Sequence, residues 1–427
     1  MSYENFFFLF INNFWFNLCV VFATIIFYLL IFKKNIYSIF DPLFFYIFFS
    51  SAGKSVVFIL FLSGYITSYY LYQFLLTEVF FILGFLVFKP ISFKKMHNAN
   101  IFFSLRITKR IKILYFISGV LYILSNLVIY ILKGIPLFMT SRLNATTGGY
   151  GFALSISVTT GIIVLSILCY KLLLKFRYRL FDYVMFFLFL VFSILSGSKA
   201  VFLGIIFILF YVVYFLSVKM SYPQIIKKFN RISAKFAILA SITSIVILFM
   251  KHLNPFLTIG WRILMGGDAF MMSYVNNNIE MIKGNFLTLS LPFRIVDILN
   301  LHYVKPIGEQ LTNIIYGTDI NAGPNALYNI LGYVSFGYWG SLIFSFFIGI
   351  LVGFLRNKLI KLLKLNLESL IIFVLILYPA LSLPADFNFG LFQYISELIV
   401  FIIIYSLSVI FSYEKSKTIQ QNTKTSI

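Results

Sequence analysis

The sequence predicts an all-α, polytopic integral membrane protein, and three features carry that prediction. Apolar runs of about twenty residues, each able to cross a ~30 Å hydrocarbon core, recur along the chain. Charge is scarce: 11% of the 427 residues are charged and 61% hydrophobic, against roughly 25% charged in a soluble domain. The basic residues gather in alternate connections between the runs, as topology requires. Lipid offers no partner for a backbone N–H or C=O, so the runs must be helices. A membrane β-barrel would alternate apolar and polar residues, and these runs do not.

About eleven spans (ten to twelve) follow from the ~20-residue requirement, in one membrane domain covering residues 1–427. They fall at 6–32, 41–62, 71–88, 113–132, 152–174, 181–197, 200–218, 236–253, 331–355, 367–383 and 391–411. The first is read as a retained helix. No basic residue precedes Phe6, Lys33 and Lys34 follow the run, and no small-residue cleavage site ends it. With the N-terminus outside, the cytoplasmic segments are 33–37, 89–112, 171–180, 219–235, 356–366 and a tail at 412–427. They hold 25 of the 34 Lys and Arg residues. The outer segments hold eight, and Lys54 lies inside the second helix, where it either lines a cavity or pairs with Glu78. This places the C-terminus in the cytoplasm. The net charge of +21 is therefore a topology signal and an anionic-lipid contact, with no nucleic acid implied.

One connection is unlike the rest. Residues 254–330 form a large outer loop, and a loop of that length is usually functional. Five carboxylates (Asp268, Glu280, Asp297, Glu309, Asp319) face Arg262, Lys283, Arg294, Lys305 and His302, whereas the cytoplasmic loops are overwhelmingly basic. Cys19 and Cys169 sit within apolar runs and suggest neither a disulfide framework nor a metal site. The 55 Phe, with abundant Ile, Asn, Tyr and Lys, match an AT-rich coding sequence, so aromatic clusters carry little functional weight at this level.

No GxxxxGK[ST], GxGxxG after a strand, HExxH or CxxC occurs, and no cytoplasmic segment is large enough to bind a nucleotide sugar. No cofactor is expected. What remains is a set of cations beside outer helix ends: Arg142, Lys199 in Ser196-Gly-Ser-Lys, Arg262 before Met265-Gly-Gly-Asp268, and Arg294 after Pro292. Taken singly, each reads as a snorkelling anchor. Together they suit a diphosphate, because guanidinium forks pair with phosphate oxygens and charge at a membrane boundary defaults to function. A lipid-diphosphate-linked sugar fits: it is activated, membrane-bound and needs no ATP. Cations would stabilise the departing diphosphate, and a carboxylate or imidazole would take the proton of the attacking hydroxyl. Asp268, Asp297, His302 and Glu309 are candidates for that base. Asp268 is favoured, because it follows Gly266-Gly267 and lies six residues from Arg262. Asp182, at a cytoplasmic helix start, reads as a cap.

Arg142 with its following Gly-rich stretch, Ser196–Lys199, Gly266-Gly267-Asp268 and Gly323-Pro-Asn325-Ala-Leu-Tyr328 resemble the Wzy-type O-antigen polymerases. So does Tyr333-Val-Ser-Phe-Gly337-Tyr-Trp-Gly340, which opens the helix after the large loop. The resemblance spans most of the chain, in short motifs whose order also matches. The odd helix count, which puts the termini on opposite sides, departs from the family plan. The resemblance implies a bacterial inner membrane, with the outer side and the large loop 254–330 periplasmic. It implies a polymerase that transfers a growing glycan from undecaprenyl diphosphate to a new lipid-linked unit at the periplasmic face. It would work beside a flippase and a chain-length regulator. It further implies substrate contacts from Arg142, Arg262 and Arg294, with Lys199 in an arginine position. Gly323-Pro324 reads as a helix-start signal whose junction, with Asn325 and Tyr328, walls a substrate cleft.

Two rivals stand beside this reading. An O-antigen ligase would use the same donor and depend on a loop histidine, for which His302 is available. A lipid-linked oligosaccharide flippase or other transporter would show two similar halves, and no such symmetry is evident in the sequence.

Overall fold

The computed structural model describes residues 1–91, 107–139, 151–174, 176–198, 200–220, 224–250, 265–291, 293–317 and 322–424. Side chains at 200, 224, 236, 239–240, 243–245, 247–250, 293–294 and 414–424 are outside the description. Among these residues all regular structure is helical. The order begins α1 (Tyr3–Asn12), α2 (Phe14–Phe32), α3 (Pro42–Leu62), α4 (Ser68–Leu86), α5 (Lys109–Lys133) and α6 (Gly151–Leu173). Then come α7 (Leu180–Leu195), α8 (Ala200–Met220), α9 (Gln224–Met250) and the short α10 (Asp268–Tyr274), α11 (Phe286–Ser290), α12 (Phe293–Ile298) and α13 (Ile307–Tyr316). The chain closes with α14 (Tyr328–Gly353), α15 (Leu359–Leu362), α16 (Leu367–Leu377) and α17 (Phe387–Lys424). Eight of the described helices are long and apolar enough to cross a membrane, which makes this a polytopic membrane protein; α7 and α16 are shorter apolar helices.

The chain forms two compact units. The first comprises Met1–Ile91, His252–Leu359 and Pro379–Phe392. Its first helix is not the continuous run expected over 6–32. Asn13, at φ −124° and ψ 44°, separates α1 from α2, and the Asn17 amide donates to the freed carbonyls of Leu9 and Phe10 at 3.3 and 3.1 Å. Asn side chains compete in this way with the helical ladder. Asp41 caps α3 on Leu43 N at 2.9 Å with Pro42 at the first turn, and its other oxygen takes a 2.5 Å ion pair from Arg356. Helices α4 and α14 pack backbone to backbone: a Cβ on Gly84 would overlap the Phe346 carbonyl, and one on Gly349 the Phe81 carbonyl. Small residues do this work between apolar helices, where no hydrophobic force draws one to the other.

Residues 254–330 are not a structureless connection. Their described part is built around α10–α13, and the buried residues Ala269–Met272, Tyr274, Ile279, Leu289, Ile307 and Leu311 form one core with Val56, Val57 and Leu60 of α3 and Phe74 of α4. Phe6 of α1 joins the same core.

The second unit comprises Ser92–Lys251, Ile360–Tyr378 and Gln393–Ile427. Helix α8 is buried on nearly every side, consistent with its lack of a polar face. At α7, Asp182 accepts from Arg179 N at 2.7 Å as a cap and pairs with Lys171 at 2.6 Å. Glu368 pairs with Arg110 and accepts from Tyr405 at 3.3 Å. Helix α17 runs on to Lys424, where the sequence suggested a tail from Ser412, because residues 412–424 contain neither Gly nor Pro to stop it.

Candidate functional site

The described sequence candidates, Asp268, His302, Asn325 and Tyr328, all lie in the first unit. Gly266 and Gly267 lie against Gly53 in the middle of α3, so close that a Cβ on Gly53 or Gly267 would overlap the facing backbone. This contact draws the chain inward, and α10 starts at Asp268 with every following residue to Tyr274 buried. The Asp268 carboxylate accepts the Tyr3 hydroxyl at 3.1 Å and the Ala269 N–H at 2.9 Å. Tyr3 is itself held by a stack on Tyr316 of α13, ring centroids 6.3 Å apart, and its N–H donates to the Tyr316 hydroxyl at 3.3 Å. Burial pushes the Asp268 carboxyl up to about 6, outweighing the Tyr3 and backbone hydrogen bonds that pull it down. An acid in that range exchanges protons near neutrality, which is what general acid–base chemistry needs.

A second polar feature is a cavity of about 220 Å³ where the loop segment meets α14 and α17. Glu309, Asn325, Asp386 and Asn388 line it above Leu289 and Phe387. Asp386 is raised by burial while accepting the Phe389 N–H at 3.0 Å. Asn388 donates to the Leu289 carbonyl at 3.0 Å, which ties the start of α17 to α11.

Deeper in the unit, Glu78 is a hub. Its two oxygens accept from Lys54 (2.7 Å), Tyr28 (2.7 Å), Tyr328 (2.6 Å) and Asn329 (3.0 Å), and the Lys54 ammonium lies 4.6 Å from the Tyr28 ring centre. Four helices, α2, α3, α4 and α14, meet at this carboxylate. Lys54 and Glu78 are 2% and 3% exposed, so the pair is buried and its lone pairs are filled. Its geometry is that of a structural lock.

The sequence candidates therefore separate. Asp268 occupies a built environment. Asn325 is exposed at the mouth of the small cavity, but Tyr328, expected beside it on a cleft wall, is fully buried with its hydroxyl committed to Glu78. The reason is local: Leu327 is the cap of α14, so Asn325 stays in the connection while Tyr328 turns inward with the first helical residue. His302 is exposed between α12 and α13, and no hydrogen bond or ion pair joins it to Asp268 among the described residues. Arg142, Lys199 and Arg262 lie outside the described residues, as does the side chain of Arg294 on α12. Sequence reasoning gave no role to Tyr3 or Asp386. The first could have been found only through Asp268, 265 residues away.

No family model, curated protein or solved structure matches the chain.

Proposed function

We propose that the protein is a glycosyltransferase that polymerises undecaprenyl-diphosphate-linked oligosaccharide repeat units into O-antigen-type polysaccharide on the non-cytoplasmic face of a bacterial inner membrane. The observation that carries the reading is Asp268, a half-buried carboxyl raised to about 6 beside a tyrosine hydroxyl, on the polar segment the charge pattern assigns to the outside. In the reaction, the acceptor hydroxyl attacks the anomeric carbon of the donor sugar and gives its proton to the Asp268 carboxylate. The new C–O bond forms as the bond to the lipid diphosphate breaks, and the electron pair leaves on that diphosphate. Arg142, Lys199, Arg262 and Arg294 are assigned to the leaving group's charge, and Asn325 to the margin of the sugar path.

About eleven spans, with the N-terminus periplasmic and the C-terminus cytoplasmic, complete the proposal; the eight described helices long and apolar enough to cross a membrane support its polytopic part. The supply of flipped lipid-linked units and the control of chain length fall to partner proteins, a flippase and a regulator. Deletion of the gene in its native host, with surface polysaccharide resolved on a gel, tests the reaction class. The expected result is loss of the long ladder, leaving single repeat units on the carrier or core. Accumulated lipid-linked polymer would instead indicate a ligase, and loss of every outward-facing unit a flippase.

A further inference from the structure

A second site lies at the end of α4 and α14 that faces the loop segment. Glu280 is exposed, and both hydrogen bonds it accepts fall on one oxygen: Tyr333 Oη to Oε1 at 2.6 Å and Tyr70 Oη to Oε1 at 3.5 Å. The other oxygen, Oε2, accepts nothing among the described residues. The tyrosines that hold Oε1 belong to a cluster of five rings, of which one pair is stacked and the rest meet edge-on or tilted. Tyr274 is buried and stacks on Tyr70 at 5.1 Å and 14°, with its hydroxyl fixed on Gln73 at 2.8 Å. Tyr70 meets Tyr69 edge-on at 5.3 Å, Tyr69 leans on Tyr338 at 5.1 Å, and the hydroxyls of Tyr69 and Tyr333 are 3.2 Å apart. Tyr69 is 47% exposed and Glu280 is exposed, so the tyrosine cluster and the carboxylate both reach the surface at this end. The turn that presents Glu280 carries Asn276 and Asn277, both at φ +57°, a backbone that persists only when its surroundings dictate it.

The plain account of exposed tyrosines on a membrane protein is an interfacial belt, in which each hydroxyl reaches for headgroups. Here the hydroxyls of Tyr70 and Tyr333 are spent on Glu280, and that of Tyr69 on Tyr333. The carboxylate would repel the anionic lipid phosphates such a belt meets.

We propose that Tyr69, Tyr338 and Glu280 form a pyranose-binding shelf: the C–H face of a neutral or amino sugar lies on the Tyr69 ring while its hydroxyl or amine protons are accepted by Glu280 Oε2. A pyranose has both surfaces, an apolar face of axial hydrogens and a rim of donors, and the shelf presents the complement of each. The negative charge sets the selectivity. A uronic acid offers a second carboxylate at the rim and is disfavoured, whereas neutral hexoses and amino sugars are accepted. The shelf rests on its own geometry and stands whether or not Asp268 transfers a glycosyl group.

The test is saturation-transfer NMR on the full chain in nanodiscs, with methyl glucoside, galactoside, mannoside, glucosaminide and glucuronide as probes. Wild type is expected to transfer saturation to the ring C–H protons of at least one neutral or amino glycoside, and several-fold less to the glucuronide. Tyr69→Ala and Tyr338→Ala should each lower the signal at least fivefold. Glu280→Gln should bring the glucuronide to parity with the glucoside, a change of preference that mere loss of structure would not produce. No transfer to any probe from the folded wild type would overturn the shelf, as would an undiminished signal in Tyr69→Ala. Cross-relaxation of the Tyr69 ring with lipid headgroups in place of sugar would assign it to the belt. Sugar contact without polymer formation would sink only the transfer reading, and polymer formation without sugar contact only the shelf.

Discussion

Asp268→Asn is expected to abolish the polysaccharide ladder while making the folded protein more stable at pH 7–8. Loss of a general base costs about 10²- to 10⁴-fold in rate, enough to empty a gel of long chains. The stability effect has the opposite sign because the wild-type carboxyl is raised. A group whose folded pKa lies above its unfolded value near 4 supports the fold below that value and loses the support as pH rises through about 6. A shift of roughly two units corresponds to ~3 kcal/mol between those limits. Asn keeps an acceptor for Tyr3 and never ionises, so it escapes this loss. Unfolding of both proteins in detergent, followed from pH 4 to pH 8, should show the wild type losing stability across that window and the variant staying level. A variant that is active, or that parallels wild type at every pH, would remove Asp268 from its role.

Lys54→Met should be the most damaging single change to the fold. It strips Glu78 of its cation in a site with almost no access to solvent, and breaking one side of such a pair costs about 3–5 kcal/mol. The double variant Lys54→Met with Glu78→Gln should recover most of that loss, because an apolar and a neutral group need no mutual compensation. Tyr28, Tyr328 and Asn329 still find an oxygen or nitrogen at position 78 in the double variant. The double variant should also keep the ladder, as a structural lock requires. Restored stability with the ladder lost would move the pair into the working machinery and favour a transport reading.

Much of the fold was legible because long apolar helices announce themselves. The runs at 41–62, 200–218 and 391–411 fall on α3, α8 and α17, and Asp182 caps α7 as its position suggested. The Lys54–Glu78 contact was in reach for the same reason: two lone charges in neighbouring apolar helices have few other partners. The break at Asn13 was not, since one Asn in a run is common and the Asn17 side chain that repairs it acts through tertiary geometry. Helices α10–α13, from five to ten residues each, are too short to show a 3.6-residue period. Of these, α10, α11 and α13 form because their apolar sides find α3, α4 and α14. Asp268 was singled out from its Gly-Gly context, yet its environment depends on Tyr3 at the far end of the chain. The tyrosine shelf was hidden by abundance: with 28 Tyr and 55 Phe, composition gives no reason to pick Tyr69 from the others.

The most direct measurement uses the purified protein in liposomes, given an undecaprenyl-diphosphate-linked repeat unit and no nucleotide sugar. A ladder of lengthening lipid-linked glycans is expected, with one undecaprenyl diphosphate released per bond formed, and no ladder from Asp268→Asn. Folded wild-type protein that leaves the repeat unit unjoined, or only moves it between leaflets, would contradict the proposed polymerase.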